Sequence, residues 1–271
     1  MVPAVRRPTA LSHSPAARVR TLFERPGLRA RLGWYAPGQR MARHAHPQHQ
    51  LSLLLGGALG ESAVGQDLRI AGPAVGIKAA GLDHANDYGP AGALIFGVDL
   101  DGASPWPDDH GRTPEWRWRA APSAVLLRHG RQLLDDLVTG VDADAEARLW
   151  ELIAAITDCG ASVAAAKGKP PRWLARLSAR LQEESTPLAE LARDEGLHPV
   201  YVSRAFLRWH GCTPSTQRIR ARLQHALAAL SAGSSLVDSA LLAGFSDHAH
   251  FSRAARAHVG LSPRQLRQLL A

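Results

Sequence analysis

Residues 244–253 read Gly244-Phe245-Ser246-Asp247-His248-Ala249-His250-Phe251-Ser252-Arg253, and the chain soon continues Gly260-Leu261-Ser262-Pro263-x3-Arg267. A glycine takes a sharp turn without a Cβ penalty, Asp247 is suited to cap a helix, and Ser262-Pro263 opens the next one with a capping hydroxyl and a proline at the first position. The stretch therefore predicts turn, helix, turn, helix. It also has a partner: Arg253, Gly260, Ser262, Pro263 and Arg267 repeat Arg204, Gly211, Thr213, Pro214 and Arg218 at an offset of 49. Ahead of these, Ala192-x3-Gly196 and Ala240-x3-Gly244 match at an offset of 48, so the two turns differ by one residue. One supersecondary unit is used twice.

Each unit predicts a short helix, a glycine turn and a second helix. In the first, Leu188, Leu191 and Ala192 keep helical spacing before Gly196, and Val202, Phe206 and Trp209 supply the apolar stripe of a helix over about Pro199–Trp209. In the second, Val237, Ala240, Leu241 and Ala243 precede Gly244, and Phe251 with Ala254 or Ala255 turns inward from a helix over about His248–His258. A long amphipathic helix from Ser215 to Leu230 spaces the two units. Helix pairs of this kind place their second helix in the major groove of DNA.

The charge agrees. The chain carries a formal net charge of +8, and residues 170–271 hold thirteen arginines, no lysine and seven acidic residues, a balance of +6. Most of the positive excess thus lies where phosphates would be neutralised, in the side chain best suited to bidentate phosphate and guanine contacts. A genome rich in G and C explains part of that composition, but not the repeat.

These residues resemble the AraC/XylS transcription regulators over about the last hundred positions. The resemblance implies a DNA-binding module whose two recognition helices enter successive major-groove segments. On it, Val200, Ser203 and Arg204 of the first helix and Ala249, His250 and Arg253 of the second face the bases, while Arg208, Arg218, Arg256 and Arg267 face phosphates. Ala255, Leu266 and Gln217 depart from the family pattern, which has aromatic residues there, and are expected to be repacked core positions.

The preceding residues read differently. From about Thr21 to Ala121, short apolar segments (Leu51–Leu55, Leu68–Ile70, Ala93–Val98) alternate with glycine and proline turns, which predicts an all-β barrel or jelly roll. Inside it, Gly38-x5-His44-x-His46-x3-Gln50-x6-Gly57 resembles the first cupin motif with glutamine in place of glutamate, and His84 falls where the second motif places its histidine. Residues two apart on a strand share a face, so His44 and His46 are expected to line the interior together, and His49 to point elsewhere. His44, His46 and His84, with Gln50 beside them, form a metal or effector pocket. Three imidazoles suit a divalent ion such as zinc, whereas the family resemblance implies a metal-free pocket for a small organic effector. Both occupants stand at this point. Trp34, Tyr35, Trp106, Trp116 and Trp118 are further lining residues to test.

Between the two regions, Ser123–Leu137 and Ala143–Cys159 are amphipathic, with stripes Leu126, Leu127, Leu133, Leu134, Leu137 and Leu149, Leu152, Ile153, Ile156. In the resembled family the equivalent helices form a dimer interface. The expected organisation is a two-domain α+β chain: a loose segment 1–20, a cupin-like barrel 21–121, a helical dimerisation segment 122–160, a linker 161–171 and an all-α double helix-turn-helix domain 172–271. The expected partners are double-stranded DNA, a small-molecule or metal effector, a second copy of the chain and, for an activator, RNA polymerase. Cys159 and Cys212 match no metal or redox spacing, no stretch approaches the length of a membrane span, and the arginine-rich start lacks the apolar core of a secretory signal. A cytoplasmic, non-enzymatic regulator follows as the expectation. The competing expectation is a cupin-type metalloenzyme fused to a DNA-binding module.

Overall fold

The computed structural model describes residues 17–102, 116–120, 122–140, 144–158 and 169–270. Trp106, Cys159 and most of the expected linker lie outside them. The described residues form strands β1 (Arg18–Arg25), β2 (Leu28–Tyr35), β3 (Arg40–His44), β4 (Gln48–Ala63), β5 (Gln66–Ala71), β6 (Ala74–Lys78), β7 (His84–Asp101) and β8 (Arg117–Ala120). The first strand starts at Arg18, inside the segment expected to be loose. Helices follow: α1 (Ala124–Thr139), α2 (Ala145–Asp158), α3 (Arg172–Glu183), α4 (Leu188–Asp194), α5 (Pro199–His210), α6 (Pro214–Ser231), α7 (Leu236–Leu242), α8 (His248–His258) and α9 (Pro263–Leu270).

The antiparallel sheet runs β1-β2-β7-β4-β6-β8, with β3 added to β7 and β5 to β4. Its two long strands are each shared. The first half of β4 pairs with β6 and its second half with β5, while β7 serves β3 and then β2. Their mutual register shifts between Leu54 and Gly56 and again between Gly57 and Leu59, which bends the pair. Glycine is required at that bend: Gly57 has φ +86° and a Cβ there would lie 1.9 Å from the Gly92 carbonyl oxygen. The sheet folds over itself, and strand alternation gives it two unlike faces. Tyr35, Leu54, Leu59, Ile70, Tyr88 and Ile95 pack together on the inner face. Leu51, Leu53, Leu55, Val75, Ile77, Leu94, Phe96 and Val98 form the outer one, which belongs to a larger core.

That larger core joins the sheet to helices at both ends of the helical region. It takes Leu133 and Leu134 of α1, Leu149, Leu152 and Ile153 of α2, Leu223 and Leu227 of α6, and Phe245, Phe251, Leu261 and Leu266 around α7, α8 and α9. The expected stripes of α1 and α2 are thus buried within the chain itself. Leu227 is 1% exposed, and burying such a side chain contributes about 1.5–3 kcal/mol. The first helix-turn-helix unit has its own core, Leu174, Leu177 and Leu181 of α3 with Leu191, Val202 and Phe206. The two units are therefore anchored differently.

The second unit meets α1 through polar contacts as well. Arg131 Nη1 donates to the Ala257 carbonyl at 2.9 Å, and Gln265 Nε2 donates to Asp135 Oδ1 at 2.8 Å. In α7, the expected apolar positions Val237 and Leu241 are 57% and 59% exposed, while Ser239 and Ala240 are buried. Small residues face inward there because α7 lies close on α6.

Candidate functional site

Caps define both candidate recognition helices, α5 and α8. His198 accepts the Val200 N–H through Nδ1 at 3.3 Å, Pro199 opens α5, and Gly211 ends it with φ 64°. Asp247 caps α8 by accepting the His250 N–H at 2.6 Å. Thr213 and Ser262 then cap α6 and α9, accepting the N–H groups of Thr216 and Gln265. The observed α8 has the bounds expected from the sequence, and α5 runs one residue longer.

Val200, Arg204, Ala249 and Arg253 are exposed, and Ser203 and His250 are half-buried. The His250 ring stands edge-on to Phe245 with centroids 5.2 Å apart, and its Nδ1 lies 3.2 Å from Ser246 Oγ. Glu195 is bound by Arg176, at 2.6 Å. Arg208, Arg256 and Arg267 are exposed, and the Arg208 guanidinium lies over the Trp209 ring. Arg218 is placed differently: it is half-buried, donates from Nη2 to the Thr186 carbonyl at 2.5 Å, and has its basicity lowered by burial. It ties α6 to the loop before α4. Of the three departures from the family pattern, Ala255 and Leu266 are fully buried, and Gln217 instead donates from Nε2 to Ser178 Oγ.

In the barrel, ligating nitrogens of His44, His46 and His84 all lie within 4.8 Å of one another. His44 and His84 face each other across the β3–β7 pairing. His46 lies beyond the end of β3, so the turn into β4, rather than strand alternation, brings it in. His44 Nδ1 sits 2.7 Å from the Ala42 carbonyl and His84 Nδ1 3.0 Å from the Leu82 carbonyl. Only the Nδ1–H tautomer can donate there, which leaves the Nε2 lone pair of each ring as the ligating atom. Burial, with Lys78 and the neighbouring imidazoles, lowers His46 to about 4, and burial with Lys78 lowers His84. Three imidazoles at this spacing fit a borderline divalent ion.

Gln50 is buried but turned toward Asp99, to whose Oδ1 its Nε2 donates at 3.3 Å. Asp99 is also held by Arg29 and Arg31, each at 2.9 Å. His49, expected to point away from the His44 and His46 face, is buried, and its Nδ1 accepts the Ala80 N–H at 3.0 Å. Tyr35 stacks on Tyr88 with centroids 4.3 Å apart, whereas Trp34 belongs to the outer core.

A second polar group adjoins the histidines. Glu61 is 1% exposed and accepts from Lys78 Nζ at 2.9 Å, from Asn86 Nδ2 at 3.0 Å, and from the indole N–H groups of Trp116 and Trp118. Burial alone would raise this carboxyl, but Lys78 and the indole and amide donors hold it at about 2. The sequence carried a signal for it: Glu61 and Lys78 are charged residues two positions beyond Leu59 and Gly76 on strands that read as buried.

Residues 191–269 match the family model of a helix-turn-helix domain. None of the curated proteins matches the chain in sequence. Among solved structures, the chain is similar to a conserved protein of unknown function from Streptococcus pyogenes, at 20% identity over 37% of this chain and 93% of that one, with a TM-score of 0.30. A cupin superfamily protein from Desulfitobacterium hafniense is 17% identical over 36% of this chain and 93% of that one, with a TM-score of 0.30. The oxalate decarboxylase of Bacillus subtilis, described for its Mn(II) centres, is 22% identical over 32% of this chain and 26% of that one, with a TM-score of 0.28. No helix among the described residues is long and apolar enough to cross a membrane. The matched stretch, residues 191–269, takes in α5 to α8, both helices that follow the glycine turns, and marks this region as a helix-turn-helix domain.

Proposed function

We propose that this chain is a sequence-specific transcription regulator whose helices α5 and α8 read two successive major-groove segments, under the control of a ligand in the barrel. The observation that carries the reading is the pair Arg204 and Arg253, exposed at the same point of the two recognition helices, 49 positions apart. A guanidinium there can pair with guanine O6 and N7 at once. Val200 and Ala249 offer apolar contact to a thymine methyl, Ser203 and His250 complete the reading sets, and Arg208, Arg256 and Arg267 hold phosphates. Arg218, engaged with Thr186, reaches a phosphate only by leaving that carbonyl.

The ligand is a divalent ion such as zinc or a small organic effector. His44, His46 and His84 would hold the ion through Nε2 of His44 and His84 and a nitrogen of His46, and a bound ion would supply a positive charge able to fix an anionic group. The chain acts as a homodimer, for which the outer sides of α1 and α2 offer Val125 and Trp150, 69% and 45% exposed. RNA polymerase joins the partners if the protein activates. The alternative, a cupin-type metalloenzyme with a DNA-binding module, draws on the same histidines, and bound metal without DNA sequence preference would favour it.

Selection of bound duplexes from a random pool tests the regulator reading. The expected product is a site with two unlike halves, because the exposed residues of α5 and α8 differ. A pool that shows no enrichment contradicts it.

A further inference from the structure

One buried cation stands beside the histidines of the barrel. Lys78, the last residue of β6, is 9% exposed, and its Nζ lies 2.9 Å from Glu61 Oε1 and 3.2 Å from His84 Nε2. The His84 Nδ1–H is spent on the Leu82 carbonyl, so Nε2 is the one lone pair this ring can give a metal ion. That same lone pair accepts from Lys78. It cannot serve both.

We propose that Lys78 is a built-in competitor for the metal site: its amine occupies His84 Nε2 in the ion-free pocket, and an ion binding His44, His46 and His84 must displace Nζ onto Glu61 alone. The inference rests on reading the histidine cluster as a metal site. Two features separate this arrangement from a plain structural ion pair. Glu61 alone pairs the Lys78 charge, so the contact with His84 is additional to the ion pair. Glu61 is also pinned by Asn86, Trp116 and Trp118, which leaves the flexible lysine, rather than the carboxylate, as the group that moves. The consequence is an affinity threshold. Displacing Nζ costs every ion alike, so Lys78 sets a threshold that only an ion bound strongly by imidazole, such as zinc or copper, can pass.

The test measures the zinc affinity of the full chain by competition with a chromophoric chelator, for the parent, E61Q, K78M and the double variant E61Q/K78M. K78M alone leaves a buried carboxylate without its cation and is the variant most at risk of misfolding. The double variant removes both charges and keeps the pocket neutral. It should bind zinc at least about tenfold more tightly than the parent, and E61Q, which leaves Lys78 leaning on His84, should bind more weakly. A double variant with parental or weaker zinc affinity overturns the role of Lys78 while leaving the metal site intact. Failure of both the parent and the double variant to bind zinc overturns the metal reading of the histidines and the competitor role with it.

Discussion

Arg131 on α1 donates from Nη1 to the carbonyl oxygen of Ala257 near the end of α8, 2.9 Å away and 126 positions along the chain. The last carbonyls of a helix lack partners within it, and a cation beside them is favoured by the helix dipole. The helix that follows the barrel thus finishes the last turn of the second recognition helix. Arg131→Ala should cost about 1–2 kcal/mol, within the range of a charge-assisted hydrogen bond, because nearby Arg220 offsets part of the gain. Urea unfolding of the two proteins measures this, and an unchanged midpoint would show that the contact contributes nothing.

Gly260 tests the same seam by shape. Its φ is +95° and a Cβ there would lie 2.7 Å from the Cβ and carbonyl oxygen of Arg131, whereas Gly196, with φ +67°, has open space around it. Both Gly→Ala changes incur the left-handed backbone penalty of about 1 kcal/mol, but only Gly260→Ala also overpacks the seam, for roughly 1–3 kcal/mol more. Equal melting temperatures for the two variants would mean that the seam yields freely.

His258 should make the seam acid-sensitive. Burial, together with Arg131 and Arg220, lowers it to about 4 from an ordinary value of 6.5. Between those values the unfolded chain binds the proton and the folded chain does not, so stability is lost as pH falls from 6.5 toward 4. Glu61, held at about 2 against an ordinary 4.5, keeps its stabilising effect until pH falls below 4.5. Melting temperatures recorded from pH 7 to pH 4 should therefore fall, and His258→Gln should flatten part of that slope. A variant with the parental slope would remove His258 from the explanation.

What the sequence discloses is what is encoded locally. The caps Asp247, Thr213 and Ser262 and the closing glycine Gly211 act within a few residues, which is why the bounds of α5, α6 and α8 can be read almost to the residue. The histidine cluster is legible in its members, since His44, His46 and His84 all follow from motif spacing, but not in its geometry, since His46 arrives through a turn and not by strand alternation. The seam is not legible, because Arg131 to Ala257 and Asp135 to Gln265 join positions 126 and 130 apart with no shared period. Gln50 and Arg218 show the other limit. Each stands where a functional role is expected, and each is turned aside by a partner, Asp99 or Thr186, that only the folded chain supplies.

The exposed arginines should divide by role. Arg208→Ala, Arg256→Ala or Arg267→Ala should weaken cognate and random DNA alike and lower the salt slope by about 1 each. A loss confined to the cognate sequence would make that residue a base reader instead.

The most direct measurement is fluorescence anisotropy on a duplex enriched by selection and on its scrambled counterpart, at several salt concentrations, for the parent, Arg204→Ala and Arg253→Ala. The expected result is steeply salt-dependent binding that prefers the selected duplex, with each variant losing about 1–3 kcal/mol there and almost nothing on the scrambled one. Equal affinity of the parent for both duplexes, or equal losses by the variants on both, would contradict sequence reading by α5 and α8.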